Sequence, residues 1–107
     1  VMPGALTPTE IVRAWQAGAD CVRVFPTSTL GATYIKDLRG PLPQIRLLPT
    51  GGVTLDTVAD FIKAGCSAVG VGGALVSSQA LKSRDFAAIR KTAVEFLERV
   101  KKARVAG

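Results

Sequence analysis

The sequence predicts an α/β fold on a parallel sheet. Three observations carry this. Short β-branched runs alternate with amphipathic segments of helical length, the helical segments stop at Gly18, Gly40 and Gly65, and one stop-and-strand unit occurs twice. The repeated unit is Ala17-Gly18-Ala19-Asp20-Cys21-Val22-Arg23-Val24, answered by Ala64-Gly65-Cys66-Ser67-Ala68-Val69-Gly70-Val71.

Taken in order, Val1 to Pro3 read as the end of a strand. Thr7, Pro8 and Glu10 supply an N-cap, a first-turn proline and the acid of a capping box, so the spacing predicts a helix over Pro8 to Ala17. A strand from Cys21 to Phe25 follows Gly18. The loop Thr27 to Gly31 leads into a helix over Thr33 to Arg39, which Gly40 and Pro41 stop. Ile45 to Leu48 is the next strand and runs into Pro49-Thr50-Gly51-Gly52. Thr54 then caps a helix with inner stripe Leu55, Val58 and Ile62. Ala68 to Val71 is the last strand, and Gly72-Gly73 opens a brief helical turn through Leu75. A final helix, Asp85 to Arg104, repeats apolar residues at Phe86, Ile89, Ala93, Phe96, Leu97 and Val100. Together these are four consecutive βα units with right-handed crossovers.

Arg23 interrupts an otherwise apolar strand. An unpartnered buried guanidinium costs several kcal/mol, and β-branched Val22 and Val24 belong in a parallel sheet covered on both faces. The charge is therefore expected to face a polar pocket, the alternative being an edge-strand arginine that reaches water.

The chain has 107 residues, 48% hydrophobic and 21% charged, which bounds it to one soluble domain without a membrane span. Val1-Met2-Pro3-Gly4 shows no targeting signature. Cys21 and Cys66 each begin a strand with no histidine in the chain, so zinc spacing is excluded and free buried thiols of a cytoplasmic protein are expected. Net charge is +6. Arg99, Lys101, Lys102 and Arg104 collect in the last helical turns, where the helix dipole favours cations, and no aromatics are interleaved as a nucleic-acid groove needs. Neither nucleic acid nor membrane is expected as a partner.

Two architectures fit the βα units: a doubly wound open sheet, or half of an eight-stranded (β/α) barrel. Gly51-Gly52 and Gly72-Gly73 follow successive strands, and paired phosphate-cradling loops after the last two strands are a recurrent barrel feature. This favours the half-barrel.

At these residues the chain resembles a known family. Pro3-Gly4, Val22-Arg23-Val24-Phe25-Pro26, Leu48-Pro49-Thr50-Gly51-Gly52-Val53 and Val71-Gly72-Gly73-Ala74-Leu75-Val76 look like the last four strand ends of the 2-keto-3-deoxy-6-phosphogluconate (KDPG) and 4-hydroxy-2-oxoglutarate (KHG) aldolases. Tyr34-Ile35-Lys36, with its stop at Gly40-Pro41, is similar to the helix after that family's catalytic strand. The resemblance implies a class I aldolase on a (β/α)8 TIM barrel, trimeric and free of metal or other cofactor. Its substrate class is a 2-keto acid, phosphorylated or hydroxylated, cleaved to pyruvate and an aldehyde. Residues 1 to 107 would be the C-terminal half-barrel of a single domain, with the first half upstream of Val1.

By the same resemblance, Phe25 is the apolar wall beside the carbonyl carbon and Thr50 a contact to the keto acid. Gly51, Gly52, Gly72 and Gly73 form the phosphate cradle. The family's glutamate for proton transfer and its carboxylate-gripping arginine belong to earlier strands. Two residues depart from the pattern. The Schiff-base lysine position is Arg23, and arginine stays protonated, so it forms no imine. Lys36 is the nearest lysine in sequence, on a helix face expected to meet solvent. Ala74 stands where a phosphate-holding serine is common. Two functions remain open: an aldehyde-lyase carrying a lesion at Arg23, or a non-catalytic keto-acid or phosphate binder in which Arg23 is a forked donor to a carboxylate.

Overall fold

The computed structural model describes residues 1–106. In chain order the elements are β1 (Gly4–Ala5), α1 (Pro8–Gln16), β2 (Val22–Val24), α2 (Gly31–Arg39), β3 (Leu47–Pro49), α3 (Val58–Lys63), α4 (Ser78–Lys82) and α5 (Phe86–Ala106). The three strands form one parallel sheet in the order β1-β2-β3, with Gly4 opposite Arg23 and Arg23 opposite Leu48.

Local chemistry explains most of the boundaries. The Thr7 hydroxyl accepts from the Glu10 N–H at 3.3 Å while the Glu10 carboxylate accepts from the Thr7 N–H at 3.0 Å, closing the capping box that starts α1. These bonds hold the Glu10 carboxyl below its ordinary pKa. On α2, Ile35 and Leu38 are buried and the Tyr34 hydroxyl donates to the Leu6 carbonyl at 2.5 Å, tying the helix to the exit of β1.

Several expectations shift. The first strand lies at Gly4–Ala5 rather than Val1 to Pro3, because Pro3 has no N–H to donate and contributes only its carbonyl, to the Arg23 N–H at 2.9 Å. The strand expected over 68–71 is reduced to one bridge between Thr50 and Gly70, with the Gly70 N–H donating to Pro49 at 2.8 Å. Gly70, Gly72 and Gly73 give this segment little side chain to pack, which weakens a ladder. The turn through Leu75 is not a helix, since the Leu75 and Val76 N–H groups both close on the Gly72 carbonyl and go no further. Thr54 does not cap α3 directly. It exchanges side-chain and backbone bonds with Thr57 in a turn, and the helix begins only at Val58. The short α4 was not anticipated, although Ser77 caps it through the Ala80 N–H.

The core lies on the helical side of the sheet. Ile11, Val22, Val24, Ile35, Leu47, Val58 and Phe61 are essentially inaccessible there. Arg23, between Val22 and Val24, is exposed. β2 is the central strand of the three, which corrects the edge-strand alternative for Arg23, and Leu48, its neighbour on the same face, is buried.

On α5, Phe96 and Ala103 are buried against the core, but Phe86 (65% exposed) and Leu97 (70% exposed) are not. The 21-residue α5 packs on the 6-residue α3, which is too short to cover the full apolar stripe. The Arg99 guanidinium donates to the Leu55 carbonyl at 2.6 Å and Arg104 to Ser67 at 2.9 Å. Two cations of the terminal basic cluster therefore fasten the helix to the domain. Among the described residues, no helix is long and apolar enough to cross a membrane.

Candidate functional site

The parallel strands point their carboxyl ends to one edge of the sheet, where three loops meet. Alternation sets which side chains face which way. Val22 and Val24 turn into the core, so Arg23 and then Phe25 turn to the opposite face. Phe25 is 56% exposed and stands over the end of β2.

The loop after β3 is held by a residue the sequence reading missed. Thr27 is fully buried, and its hydroxyl donates to the carbonyls of Thr50 at 3.1 Å and Gly51 at 2.6 Å. Its N–H also donates to Thr50, at 3.0 Å. The signal available was weak: hydroxyls at Thr27, Ser28 and Thr29 directly after Pro26.

Gly51 and Gly52 take φ of +94° and +74°, and a Cβ on Gly52 would lie 2.6 Å from the Ser28 Cα. Both glycines serve the turn itself. Gly72 and Gly73 are different. Neither has a positive φ, and an added Cβ would meet nothing within 4 Å.

Thr50 sits between the two glycine pairs. Its Oγ1 is buried with no hydrogen-bond partner among the described residues. A Cβ on Gly70 would approach that oxygen to 2.5 Å, so glycine there lets the neighbouring backbone come close. An isolated glycine in Ala68-Val69-Gly70-Val71 was the available sequence signal.

Phe25, Thr50, Gly51, Gly52, Gly72 and Gly73 line one cavity of about 380 Å³, together with Val53, Thr54, Gly70 and Ala74. Six of the seven sequence-derived site residues thus converge. The seventh, Arg23, does not line this cavity. It lies one same-face position below Phe25 in the row Gly4–Arg23–Leu48. Lys36 is exposed on α2 near Asp60 and Lys63, away from the cavity.

The cavity offers backbone N–H groups, one unpartnered hydroxyl and an aromatic wall, a set suited to an oxyanion beside an apolar carbon skeleton. No group of three metal-ligating side chains gathers among the described residues. A wider cleft of about 440 Å³ lies on the helical side, between α1 and Leu42, lined by Thr9, Arg13 and Gln16 with Arg13 its only charged residue. The two free thiols sit at the opposite, amino-terminal end of the sheet. Burial pushes Cys66 up to about 11, and Cys21 is also raised by burial, so neither is a ready nucleophile near neutral pH.

The chain is similar in sequence and fold to known proteins. The family model described as KDPG and KHG aldolase matches residues 1–92. The 2-dehydro-3-deoxy-6-phosphogalactonate aldolase of Escherichia coli strain K12 is 43% identical over 76 residues, covering 70% of this chain and 37% of that protein. The 2-dehydro-3-deoxy-phosphogluconate aldolase of Pseudomonas aeruginosa is 35% identical over 101 residues, covering 92% of this chain and 46% of that protein. A solved structure described as native KDPGal superposes with a TM-score of 0.83 at 34% identity, covering 96% of this chain and 48% of that one. The chain therefore spans about half the length, or less, of these relatives. With the strand order, the convergent glycine loops and a family match over most of its length, the chain belongs to the KDPG and KHG aldolase family.

Proposed function

We propose that the chain forms four βα units, the C-terminal half of a (β/α)8 barrel, and carries the phosphate and keto-acid side of an aldehyde-lyase site. The substrate class is a 2-keto-3-deoxy-6-phospho sugar acid or 4-hydroxy-2-oxoglutarate, and the reaction is cleavage to pyruvate and an aldehyde. The consecutive strand order, extended by the Thr50–Gly70 bridge, supports the barrel sector. One observation carries the function: Phe25, Thr50 and both glycine pairs meet in a single cavity at the carboxyl ends of the parallel strands. In this reading the amides of Gly51, Gly52, Gly72 and Gly73 hold phosphate. The Thr50 hydroxyl gains the partner it lacks, and Phe25 shields the carbonyl carbon.

The covalent step is where this chain departs from its relatives' chemistry. An imine requires an amine that can lose its proton, and Arg23 offers none. That observation favours a second reading, a protein that retains the keto acid without cleaving it.

Incubation with pyruvate and borohydride separates the two. The protein mass is expected to stay unchanged, because a guanidinium forms no reducible imine. A reduced adduct on Lys36 or any other lysine would overturn this. In a chain that includes the first half-barrel, Arg23→Lys is expected to recover trapping if the site is a lyase site. Silence in that revertant would favour retention without cleavage.

A further inference from the structure

Thr50, Gly51 and Gly52 present three consecutive carbonyls, and a threonine holds each of them. The Thr27 N–H and hydroxyl donate to the Thr50 carbonyl at 3.0 and 3.1 Å, and the same hydroxyl makes its shorter contact, 2.6 Å, with the Gly51 carbonyl. The Thr57 hydroxyl donates to the Gly52 carbonyl at 2.9 Å. Neither Thr27 nor Thr57 lines the cavity, whereas Thr50, Gly51, Gly52 and Val53 all do. In a trans peptide the C=O and the following N–H point in opposite directions. Holding the three carbonyls therefore turns the N–H groups of Gly51, Gly52 and Val53 away from the two threonines. Among the described residues, none of these N–H groups makes a backbone hydrogen bond.

The glycines make such a restraint necessary. Gly51 and Gly52 take φ of +94° and +74°, and without Cβ atoms the peptide between them can rotate at little steric cost. Half a turn would put the Gly51 carbonyl oxygen where the Gly52 N–H had been, replacing a donor by an acceptor. We infer that Thr27 and Thr57 are positioning residues, a pair of hydroxyls that fixes three peptide planes and keeps N–H groups, rather than carbonyl oxygens, turned to the cavity. The inference rests on the phosphate-cradle reading and adds to it the residues outside the cavity that set its polarity. Thr27 is the firmer of the two, because it is fully buried and its own carbonyl accepts from the Gly31 N–H at 2.8 Å at the start of α2. Thr57 is half-buried, directly before α3.

Calorimetric titration with inorganic phosphate, alongside circular dichroism to verify folding, tests this. Thr27→Val keeps the side-chain shape but releases the Gly51–Gly52 peptide, and is expected to weaken phosphate binding about tenfold or more, since a charge-assisted bond is lost and a carbonyl dipole opposes the anion. Thr27→Ser should restore most of the affinity. Thr57→Val tests the Gly52 carbonyl separately and should also weaken binding, with Thr57→Ser restoring it; this pair decides the matter if Thr27→Val fails to fold. Ile11→Val lowers stability through the core on α1, away from the loop, and should leave phosphate affinity unchanged. Native affinity in folded Thr27→Val and Thr57→Val, or equal weakening in Ile11→Val, would overturn this inference alone. No phosphate binding by the native protein would overturn the cradle reading and this inference with it.

Discussion

Gly52 and Gly72 look equivalent in the sequence, each in a Gly-Gly pair that follows a strand, yet the structure makes opposite demands on them. Gly52 has φ +74°, and a Cβ there would sit 2.6 Å from the Ser28 Cα and 3.3 Å from its N. Holding an L-residue in the left-handed region costs roughly 1–2 kcal/mol. Pushing the Ser28 backbone aside adds roughly 1–3 kcal/mol. The lower entropy of an unfolded alanine returns only about 0.4–1 kcal/mol at compatible sites. Gly52→Ala is therefore expected to lose about 1–5 kcal/mol, a sizeable share of the 5–15 kcal/mol typical of a domain. Gly72 has an ordinary φ and open space where its Cβ would go, so Gly72→Ala should be neutral or slightly stabilising. Urea unfolding followed through Trp15, the chain's single tryptophan and partly buried against the core, measures both. Phosphate titration provides the second axis. Gly72→Val should keep its unfolding midpoint but bind phosphate more weakly, because the branched side chain projects into the cavity. An unshifted midpoint in Gly52→Ala, or unchanged phosphate affinity in a folded Gly72→Val, would refute the division of labour between the two pairs.

Thr27→Val keeps the shape of the buried side chain but removes the donor to Gly51, and should cost about 1–3 kcal/mol in the same unfolding assay, with Thr27→Ser recovering most of it. Cys66 is raised from 9.0 to about 11 by burial, so above pH 9 the unfolded chain loses this proton before the folded one does. Its contribution is fully present below about pH 9 and falls away as pH rises through about 11; the pH-dependence of unfolding in that window should flatten in Cys66→Ala relative to the native protein, and identical slopes would count against the burial account.

Much of the fold was legible because local signals agreed with one another. The Thr7–Glu10 capping box, the left-handed stops at Gly18 and Gly65, and the β-branched run around Val24 each have a mechanism confined to a few residues, whereas Gly40 keeps helical dihedrals at the end of α2. Long-range geometry decided the rest. Gly70 within Ala68 to Val71 signals a weak ladder, but that the pairing shrinks to the single bridge with Thr50 depends on how the segment meets β3. The apolar repeat in α5 is real as a pattern, but α3 covers only part of it, and the length of a neighbouring helix is not written in the repeat.

The site was legible in its residues more than in their grouping. Phe25 and Thr50 are expected from the family resemblance and the four glycines from their place after successive strands, and the structure gathers all six. The sequence could not show that the two glycine pairs differ in kind, because that difference lies in φ and in the distance to Ser28 rather than in residue type. Arg23 is the residue whose surroundings the sequence leaves most open. The described residues leave it exposed, with Leu48 buried beside it on the same face. In the proposed half-barrel that face turns towards the other half of the barrel, so the groups that meet the guanidinium are set by side chains far from β2 in sequence, and no local signal around Val22 to Val24 can name them.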